Sequence, residues 1–318
     1  MKILVTGAAG FIGSVTAAYL LDHGYEINIL DDLSEGHEHQ IDSRASFIKG
    51  SILDFGEINE ALVGCQAVVH LAGKAIVSES TQDPEKYQLH NYTGTRNLLI
   101  AMENNLVNQI VFSSTCAVYG NPNVKLISEQ TKPIPINPYG NSKLLADLEI
   151  SNFTKKHSLT SVSLRFFNVA GSYTNKMGQL FGELHKNETH LIPRILKQRN
   201  IEIYGSDFNT PDGTCVRDYV HVLDIARAIK VSLENITSSG HRIFNLGSGI
   251  GVSVKEIIQA AESVLNTQIA KKLGTRRAGD PDYLVSDSKL ARKELGWETS
   301  FELKQIIKDT QKFIEKNS

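Results

Sequence analysis

Hydrophobic and polar positions follow two different periods in the first half of the chain. Continuous β-branched runs at Ile3 to Val5 and at Ile27 to Leu30 predict buried strands. The stretch after Gly10, between these runs, has the period of a helix. The face expected to be buried comprises Ile12, Val15, Thr16 and Tyr19. The alternation is typical of βαβ units and predicts an α/β fold with a Rossmann-type, doubly wound parallel sheet.

Other elements follow from the same patterns and from capping residues. Four more strands are expected to end near Ile48, Leu71, Ser113 and Arg165. Helices are predicted from Phe55 to Leu62 and from Asp83-Pro84 to about Asn104, because Asp caps and Pro fits the first helical position. Later helices are predicted at Val222 to Leu233, from the capping box at Ser253 to Leu265, before Gly296, and at Phe301 to Phe313.

After Arg165 the chain becomes rich in glycine and proline, with only brief regular segments. We interpret this change as the start of a smaller, discontinuous α/β domain that binds substrate. The prediction divides the chain into a first domain at 1–170, with a return near 214–245, and a second domain at 171–213 and 246–318.

Composition narrows the class of protein. The 318 residues carry 33 Lys and Arg against 35 Asp and Glu, so no nucleic-acid partner is predicted. No run approaches the ~20 apolar residues of a membrane span, and the first residues do not form a signal peptide. The three cysteines, Cys65, Cys116 and Cys215, form no C-x-x-C pair and no Cys/His cluster. We therefore expect a cytoplasmic protein with no membrane partner and no metal site.

A glycine loop joins the first predicted strand to the first helix. Gly7, Gly10 and Gly13 lie where backbone N–H groups and a helix dipole can bind a pyrophosphate. Asp31 ends the second strand, where a carboxylate accepts hydrogen bonds from a ribose diol and disfavours a 2′-phosphate. This combination predicts NAD as the cofactor. Asp32 either shares that role or opens the following loop.

A tyrosine and a lysine with i,i+4 spacing follow Asn137-Pro138, which is a natural helix start. On a helix, Tyr139 and Lys143 lie on one face. Because a nearby cation favours the phenolate, Tyr139 is expected to act as a general base with a pKa lowered by Lys143 and by the nicotinamide.

Several motifs together resemble the extended short-chain dehydrogenase/reductase family. They are TGAAGFIG at 6–13, HLAG at 70–73, FSSTCAVYG at 112–120, YGNSK at 139–143 and RFFNVAG at 165–171. Within that family, the second half resembles the UDP-glucose 4-epimerases. Its motifs are ETHLIP at 188–193, TPDGTCVRDYVHVLD at 210–224, NLGSG at 245–249 and RRAGDPDYLVSD at 276–287.

The resemblance implies inversion of the C4 hydroxyl of a UDP-hexose. Thr115 would bond the sugar 4-hydroxyl, Tyr139 would take its proton, and hydride would pass from C4 to bound NAD. The 4-keto sugar would rotate and receive hydride on its other face. The family also implies a cofactor that stays bound and a homodimer.

The resemblance further implies the site residues. Cofactor contacts would be Gly7, Gly10, Phe11, Ile12, Gly13, Asp31, Asp32, Ile52, Leu71, Ala72, Gly73, Asn91, Ser113, Tyr139, Lys143 and Phe166. Substrate contacts would be Thr115, Tyr139, Phe167, Asn168, His190, Leu191, Tyr204, Arg217, Tyr219, Arg277, Asp280 and Leu284. Core packing is nearly as good an explanation for Phe167, and loop packing an equal one for His190. His70 and His221 are expected to be structural.

The sequence departs from the family pattern at several positions. A family lysine near the cofactor phosphates is replaced by Ala75, with Lys74 one place earlier, and family cofactor contacts are replaced by Ser51 and Phe166. Leu284 occupies a gate position that limits the 2-substituent of the sugar. Since leucine is intermediate in size there, use of N-acetylated substrates stays open.

The same residues disfavour some alternative functions and leave others open. A 4,6-dehydratase is disfavoured because Cys116-Ala117, not an Asp-Glu pair, follows Thr115. Epimerisation of UDP-uronic acids or UDP-pentoses stays open. A net-oxidising dehydrogenase would release NADH. An inactive NAD-sensing regulator is disfavoured by the presence of Thr115, Tyr139 and Lys143 together.

Overall fold

The computed structural model describes residues 1–185, 188–277 and 280–317. The strands are β1 (Lys2–Thr6), β2 (Glu26–Asp31), β3 (Ser46–Lys49), β4 (Ala67–His70), β5 (Gln109–Thr115), β6 (Thr160–Phe166), β7 (Asn168–Ala170), β8 (Ser172–Thr174), β9 (Leu180–Gly182), β10 (Asn200–Tyr204), β11 (Val216–His221), β12 (Gly240–Leu246), β13 (Gly251–Ser253), β14 (Ala270–Gly274) and β15 (Tyr283–Leu284). The α-helices are α1 (Phe11–Asp22), α2 (Phe55–Leu62), α3 (Val77–Gln82), α4 (Pro84–Tyr87), α5 (Gly94–Asn104), α6 (Pro138–His157), α7 (Leu191–Gln198), α8 (Val222–Asn235), α9 (Val254–Leu265), α10 (Lys289–Leu295) and α11 (Leu303–Lys316). Short 3₁₀ turns lie at Glu38–Gln40 and Cys116–Tyr119, and a π-helical turn at Gln88–Thr93.

Seven parallel strands form the central sheet, in the order β12-β6-β5-β4-β1-β2-β3. The order reverses at β1, so the carboxyl ends of β1 and β4 open a crevice there. Strands such as β4 and β6 are buried along their whole length, as strands covered by helices on both faces should be. The predicted Rossmann-type fold is confirmed.

Helix α1 differs from the prediction of one buried face. Small residues such as Gly13, Ala17 and Ala18 are buried all around it. The helix lies between the sheet, α8 and β9. A helix enclosed on several sides has no exposed stripe, so periodicity describes it poorly.

The helix predicted from Asp83 to Asn104 is interrupted. Asp83 caps α4, but the chain then makes the π-helical turn before α5 begins at Gly94. Asn91, on this turn, is 1% exposed. Such turns insert one extra residue and are frequent at functional sites. The last helix begins at Leu303, not at Phe301, because the Phe301 ring stacks on His221 with centroids 4.2 Å apart.

A second region is built around β11, which pairs with β7, β13 and β15. Its core comes from α7, α9 and α11 and includes Ile192, Ile195, Ile257 and Ile307. Ser253 and Glu256 form the predicted capping box of α9. Helix α10 and Trp297 instead pack into the core of the central sheet. None of the helices in the described ranges is long and apolar enough to cross a bilayer.

Candidate active site

The glycine loop follows β1 directly and is shaped by close backbone contacts. A Cβ at Gly7, where φ is +74°, would lie 2.5 Å from the Ala72 amide nitrogen. A Cβ at Gly13 would lie 2.1 Å from the Gly7 carbonyl oxygen. At Gly10, the nearest atom would be 3.4 Å away, and no side chain caps the start of α1. The first N–H groups of α1 are therefore available to an anionic ligand.

Asp31 is held at the crevice by backbone donors. Its two carboxylate oxygens accept hydrogen bonds from the Ala9 and Leu33 N–H groups, both at 2.9 Å. Burial raises the pKa of Asp31, and these N–H groups offset only part of that effect. Asp32 accepts a hydrogen bond from the Ser34 N–H at 2.8 Å. Of the two roles predicted for Asp32, this bond matches the opening of the loop that follows β2. Burial opposes ionisation of Asp32 as well, but its hydrogen bonds to Ser34 and the charge of Lys74 bring its pKa below the ordinary value.

Lys74 lines the same crevice, although the resemblance did not assign it a role. The residue is 6% exposed, and its Nζ donates to Ser34 Oγ at 3.0 Å and to Glu35 Oε1 at 2.9 Å. The sequence analysis missed Ser34 and Glu35. Their position directly after the acidic end of β2 was the available indication, since ligands bind at the carboxyl ends of such strands.

Asn91 contacts protein groups, which suggests a positioning role. Its amide accepts from the Lys74 N–H at 2.7 Å and donates to the Lys74 carbonyl and to Ser142 Oγ, both at 2.9 Å. A Cβ at Gly73 would lie 2.7 Å from Asn91 Oδ1. Asn91 therefore fixes the backbone of residues 73 and 74 at the edge of the crevice.

Tyr139 lines the crevice, and its side chain interacts with that of Thr115. Asn137 caps α6 by accepting from the Gly140 N–H at 2.8 Å, which places Tyr139 in the first turn. Thr115, at the end of β5, accepts from the Ala117 N–H at 3.1 Å and shares a hydrogen bond with Tyr139. Burial raises the pKa of Tyr139 to about 12, and the bond to Thr115 offsets only part of that shift. Burial therefore dominates the pKa of Tyr139 here, and the lowering expected from Lys143 together with the nicotinamide stays a prediction for the complex with NAD.

Lys143 is buried beside the tyrosine, with 5% of its surface exposed. Its Nζ donates to the Ser113 carbonyl at 2.9 Å and lies 4.7 Å from the centre of the Phe112 ring. Burial lowers the pKa of Lys143 to about 8, while the charge of Asp147 opposes the shift. The ammonium group is poorly hydrated and needs an acceptor in the crevice.

A buried polar network, which the sequence analysis missed, supports this wall of the site. Asp147 Oδ2 accepts from Ser114 Oγ at 2.9 Å and pairs with Arg165 at 3.1 Å. Arg165 also donates to the Tyr119 hydroxyl at 2.9 Å. The network joins β5, α6 and β6, so it fixes the strand end that carries Thr115 relative to the helix that carries Tyr139.

Most of the predicted cofactor contacts line the crevice. Those that line it are Gly7, Gly10, Phe11, Ile12, Gly13, Asp31, Asp32, Ile52, Leu71, Ala72, Gly73, Ser113, Tyr139, Lys143 and Phe166. His190, predicted on the substrate side, lines it too, and so does Ser51. Asn91, also predicted as a cofactor contact, is not among the residues that line the crevice.

The remaining predicted substrate contacts lie around β11. Arg217 Nη1 donates to the Val216 and Pro281 carbonyls, both at 2.9 Å, and its Nη2 pairs with Asp280 at 3.2 Å. Leu284 on β15 is opposite Arg217 in register. Cys116, next to Thr115, belongs to the same buried cluster as Phe167, and Leu284 packs against that cluster. The residues around β11 and the end of β5 therefore meet at this cluster.

Other predicted contacts on this side are paired with one another. The guanidinium of Arg277 lies 3.9 Å from the centre of the Tyr204 ring. Asn168 and Tyr219 share a hydrogen bond across β7 and β11. Phe167 belongs to a buried cluster against which Leu284 packs. Leu191 is the first residue of α7, directly after His190.

Two histidines outside the crevice have structural contacts. His70 is fully buried, and its ring nitrogens bond Thr6 Oγ1 at 2.7 Å and Thr95 Oγ1 at 2.9 Å. His221 caps α8 by accepting from the Leu223 N–H at 3.0 Å. Neither side chain reaches the crevice lining.

A parallel sheet with a glycine loop, a strand-end acid and a tyrosine–lysine pair on one helix defines an enzyme that uses a dinucleotide cofactor. The model of the NAD dependent epimerase/dehydratase family matches residues 3–247, and the chain belongs to that family. The resemblance found in the motifs is thereby confirmed.

Three relatives show how far the similarity extends. The UDP-glucose 4-epimerase of Corynebacterium glutamicum is 42% identical over 319 residues, covering 98% of this chain and 95% of that protein. A crystal structure of UDP-glucose 4-epimerase from Brucella ovis in complex with NAD has a TM-score of 0.93 at 39% identity and covers 98% of both chains. The UDP-Glc/GlcNAc 4-epimerase of Campylobacter jejuni has a TM-score of 0.85 at 34% identity and covers 99% of both chains.

Proposed function

We propose that this protein is an NAD-dependent UDP-hexose 4-epimerase that interconverts UDP-glucose and UDP-galactose through a 4-keto sugar. The observation that carries the proposal is that Tyr139 and Lys143 line the glycine-loop crevice and that the Tyr139 side chain interacts with Thr115. Similarity over nearly the whole chain to UDP-glucose 4-epimerases supports it.

The crevice fits NAD. The uncapped start of α1 offers N–H groups to a pyrophosphate, and a Cβ at Gly10 would meet no protein atom closer than 3.4 Å. Asp31 places a carboxylate at the end of β2 for a ribose diol. Lys143 lacks a carboxylate partner within hydrogen-bond distance in the described chain, so a ribose hydroxyl completes its contacts. When bound, NAD supplies the acceptor and donor of hydride.

Proton transfer falls to Tyr139 in this proposal. Thr115 holds the 4-hydroxyl of the sugar against the phenol, and Tyr139 takes the hydroxyl proton as hydride leaves C4 and later returns it. A pKa of about 12 is too high for a base at neutral pH. The positive charges of the nicotinamide and of Lys143 have to lower it in the complex.

The substrate diphosphate and uridine are assigned to the residues around β11. Arg217 and Arg277 present guanidinium groups, which match phosphate oxygens in a bidentate arrangement. Arg217 forms a salt bridge with Asp280 at 3.2 Å, which the substrate diphosphate would replace. We also assign Phe167, Asn168, Leu191, Tyr204, Tyr219 and His190 to this side of the substrate.

A second candidate activity is 4-epimerisation of UDP-N-acetyl sugars. Leu284 packs on the Phe167 cluster and is smaller than a tyrosine, so it leaves room for a larger 2-substituent. The related protein from Campylobacter jejuni is named as acting on both kinds of sugar. UDP-uronic acids and UDP-pentoses remain further candidates, because Thr115 and Tyr139 act at C4 and not at C5.

The proposal also covers organisation. We assign 1–170 and 214–245 to the NAD-binding domain and 171–213 and 246–318 to the substrate domain, with α10 packed on the first of these. Family resemblance supports a homodimer, and the free thiols Cys65, Cys116 and Cys215 fit a cytoplasmic protein. Mass photometry of the untagged protein measures its oligomeric state, and fractionation of cells shows its location.

The decisive experiment is to incubate the purified protein separately with UDP-galactose and UDP-N-acetylgalactosamine. Product stereochemistry is followed by NMR and the cofactor by its NADH absorbance. We expect an equilibrium mixture of C4 epimers from UDP-galactose without stoichiometric release of NADH. Net NADH release would make the protein a dehydrogenase. Absence of turnover with both sugars, while NAD stays bound, would direct the search to UDP-uronic acids and UDP-pentoses.

A further inference from the structure

Four potential metal ligands lie together beside the cofactor crevice. Glu183 directly follows β9, and His190 directly precedes α7. His185 and Glu188 lie between them in the chain. One donor atom from each of the four residues lies within 4.8 Å of the others. We call this set the Glu183–His190 cluster.

The donor atoms of the cluster converge on a single point. His185 Nδ1 lies 3.1 Å from Glu183 Oε1, and His190 Nδ1 contacts the same oxygen. Glu188 Oε1 lies 3.7 Å and 3.8 Å from these two nitrogens. Two imidazoles and two carboxylates thus face one another.

Protein groups leave the buried carboxylates incompletely satisfied. The side chain of Glu183 is 1% exposed, and its Oε2 has no hydrogen-bond partner in the described chain. Glu188 is 8% exposed, and its Oε2 has only the Lys197 ammonium, 3.5 Å away. A buried carboxylate oxygen without a partner is costly, so a ligand is expected at this point.

The charges of the cluster suit a divalent cation. Glu183 and Glu188 bring two carboxylates to the place where the donor atoms meet. The two imidazole rings lie 5.3 Å apart between their centres, so one ion can contact a nitrogen of each. Metal ligands bind in their deprotonated forms, which here are two carboxylates and two neutral imidazoles, so one divalent ion balances the charge of the cluster.

We propose that Glu183, His185, Glu188 and His190 bind one divalent transition-metal ion, for which Zn²⁺ is the best match. Two imidazole nitrogens and two carboxylate oxygens form a borderline donor set that suits zinc in tetrahedral geometry. Ligand atoms of such a site lie about 3.4 Å apart, given metal–ligand bonds of about 2.0–2.1 Å. The spacings of 3.1, 3.7 and 3.8 Å between the ring nitrogens and the carboxylate oxygens are close to this value.

The bound ion joins two regions of the molecule. It connects the end of β9 to the start of α7, and Leu184, His185 and His190 form part of the crevice wall. The Leu184 carbonyl is in contact with His37 Nε2 at 3.0 Å, on the loop that follows β2. The ion therefore stabilises the wall of the cofactor crevice and takes no part in hydride or proton transfer.

The test measures metal content directly. The protein is prepared without a histidine tag and gel-filtered in buffer without chelator, and its metals are counted by mass spectrometry. We expect close to one zinc per chain. After chelation, titration with Co²⁺ should give the intense visible absorption of tetrahedral cobalt, and added Zn²⁺ should abolish that absorption and raise Tm.

The His185→Ala/Glu188→Gln double variant should lose stoichiometric zinc, the cobalt absorption and the rise in Tm. His157→Ala is the matched control, because His157 pairs with Glu103 at 2.7 Å on the exposed end of α6. If the double variant does not fold, X-ray absorption at the zinc edge of the unmodified protein must show two nitrogen and two oxygen ligands. Absence of bound zinc and cobalt, another ligand set, or undiminished binding by the folded double variant would overturn the proposal and leave an ion-pair cluster.

Discussion

The glycine-loop crevice and the region around β11 obtain their polar groups in different ways. In the crevice, the anion-binding groups are N–H groups of an uncapped helix, and Asp31 is held by backbone donors. Around β11, Arg217 is already paired with Asp280, and Arg277 is stacked on Tyr204. The crevice is therefore preformed, whereas the substrate side must exchange internal partners for a ligand. Substitutions in the two regions should have different signatures.

The largest effect is expected at Tyr139, where the two regions meet. Tyr139→Phe removes the group that takes the proton but keeps the ring, so kcat should fall by about 10²–10⁴-fold. Binding of NAD and of UDP should be retained, which calorimetry can measure. Unchanged epimerisation by the variant would exclude Tyr139 as the base.

Two glycines test whether the crevice is preformed. Gly10→Ala adds a methyl group that meets no protein atom closer than 3.4 Å, so Tm should stay constant while NAD affinity falls by about 10–100-fold. Gly13→Ala places the methyl group 2.1 Å from a carbonyl oxygen and should destabilise the fold itself by about 1–3 kcal/mol. Gly24→Ala is a control for the added methyl group, because a Cβ at Gly24 meets nothing within 4 Å. Its φ of +83° still costs this variant some stability. Equal loss of stability at Gly10 and Gly13 would contradict the assignment.

Arg217 tests the substrate side. Arg217→Lys keeps the charge but loses the bidentate fork, so KM for the UDP-sugar should rise by about 10–100-fold with little change in bound NAD. Steady-state kinetics and cofactor absorbance separate these quantities. A loss of NAD equal to the loss of substrate affinity would mean that the two regions are not independent.

Lys143 should make stability depend on pH. Its pKa is about 8 in the folded protein against an ordinary 10.5, so the unfolded chain binds more protons between these values. The free energy of unfolding of the cofactor-free protein should therefore rise with pH in this window, by at most about 3 kcal/mol. Lys143→Met should lack this rise, whereas Lys156→Met, at an exposed position, should keep it. Urea unfolding at several pH values measures it, and parallel curves for all three proteins would refute the prediction.

The smallest effect is expected at Leu284. Leu284→Tyr fills the space beside the Phe167 cluster and should reduce kcat/KM for N-acetylated sugars about tenfold more than for UDP-galactose, since discrimination by shape is modest. Competition between the two substrates in one NMR tube gives this ratio. Equal decreases for both sugars would show that Leu284 is not a gate.

Much of the cofactor side was predictable because its determinants are contiguous in the chain. Gly7, Gly10 and Gly13 lie in one turn, and Asp31 ends the next strand. The capping residues Asn137 and Ser253 likewise act within their own first helical turn. Local patterns describe such features well, because the groups that interact are close in sequence.

Other features depended on burial and on distant partners. The sequence suggested a lowered pKa for Tyr139, but burial raises it. The π-helical turn that buries Asn91 interrupts a helix that its residues would otherwise continue. The spacing of cysteine and histidine does not predict the Glu183–His190 cluster, because half of its potential ligands are carboxylates. The pattern E-x-H-x-x-E-x-H at 183–190 is visible in the sequence once carboxylates are included.

The sequence by itself determined the strand and helix order, the glycine loop with its acid, and the pairing of Tyr139 with Lys143 on one helix, because periodicity and capping act over a few residues. The tertiary structure alone decided how much water surrounds each group. Whether Tyr139 is acidic and whether Lys74 faces the crevice depend on packing between segments far apart in the chain. Desolvation and charge pairing are properties of that packing, so no local pattern encodes them.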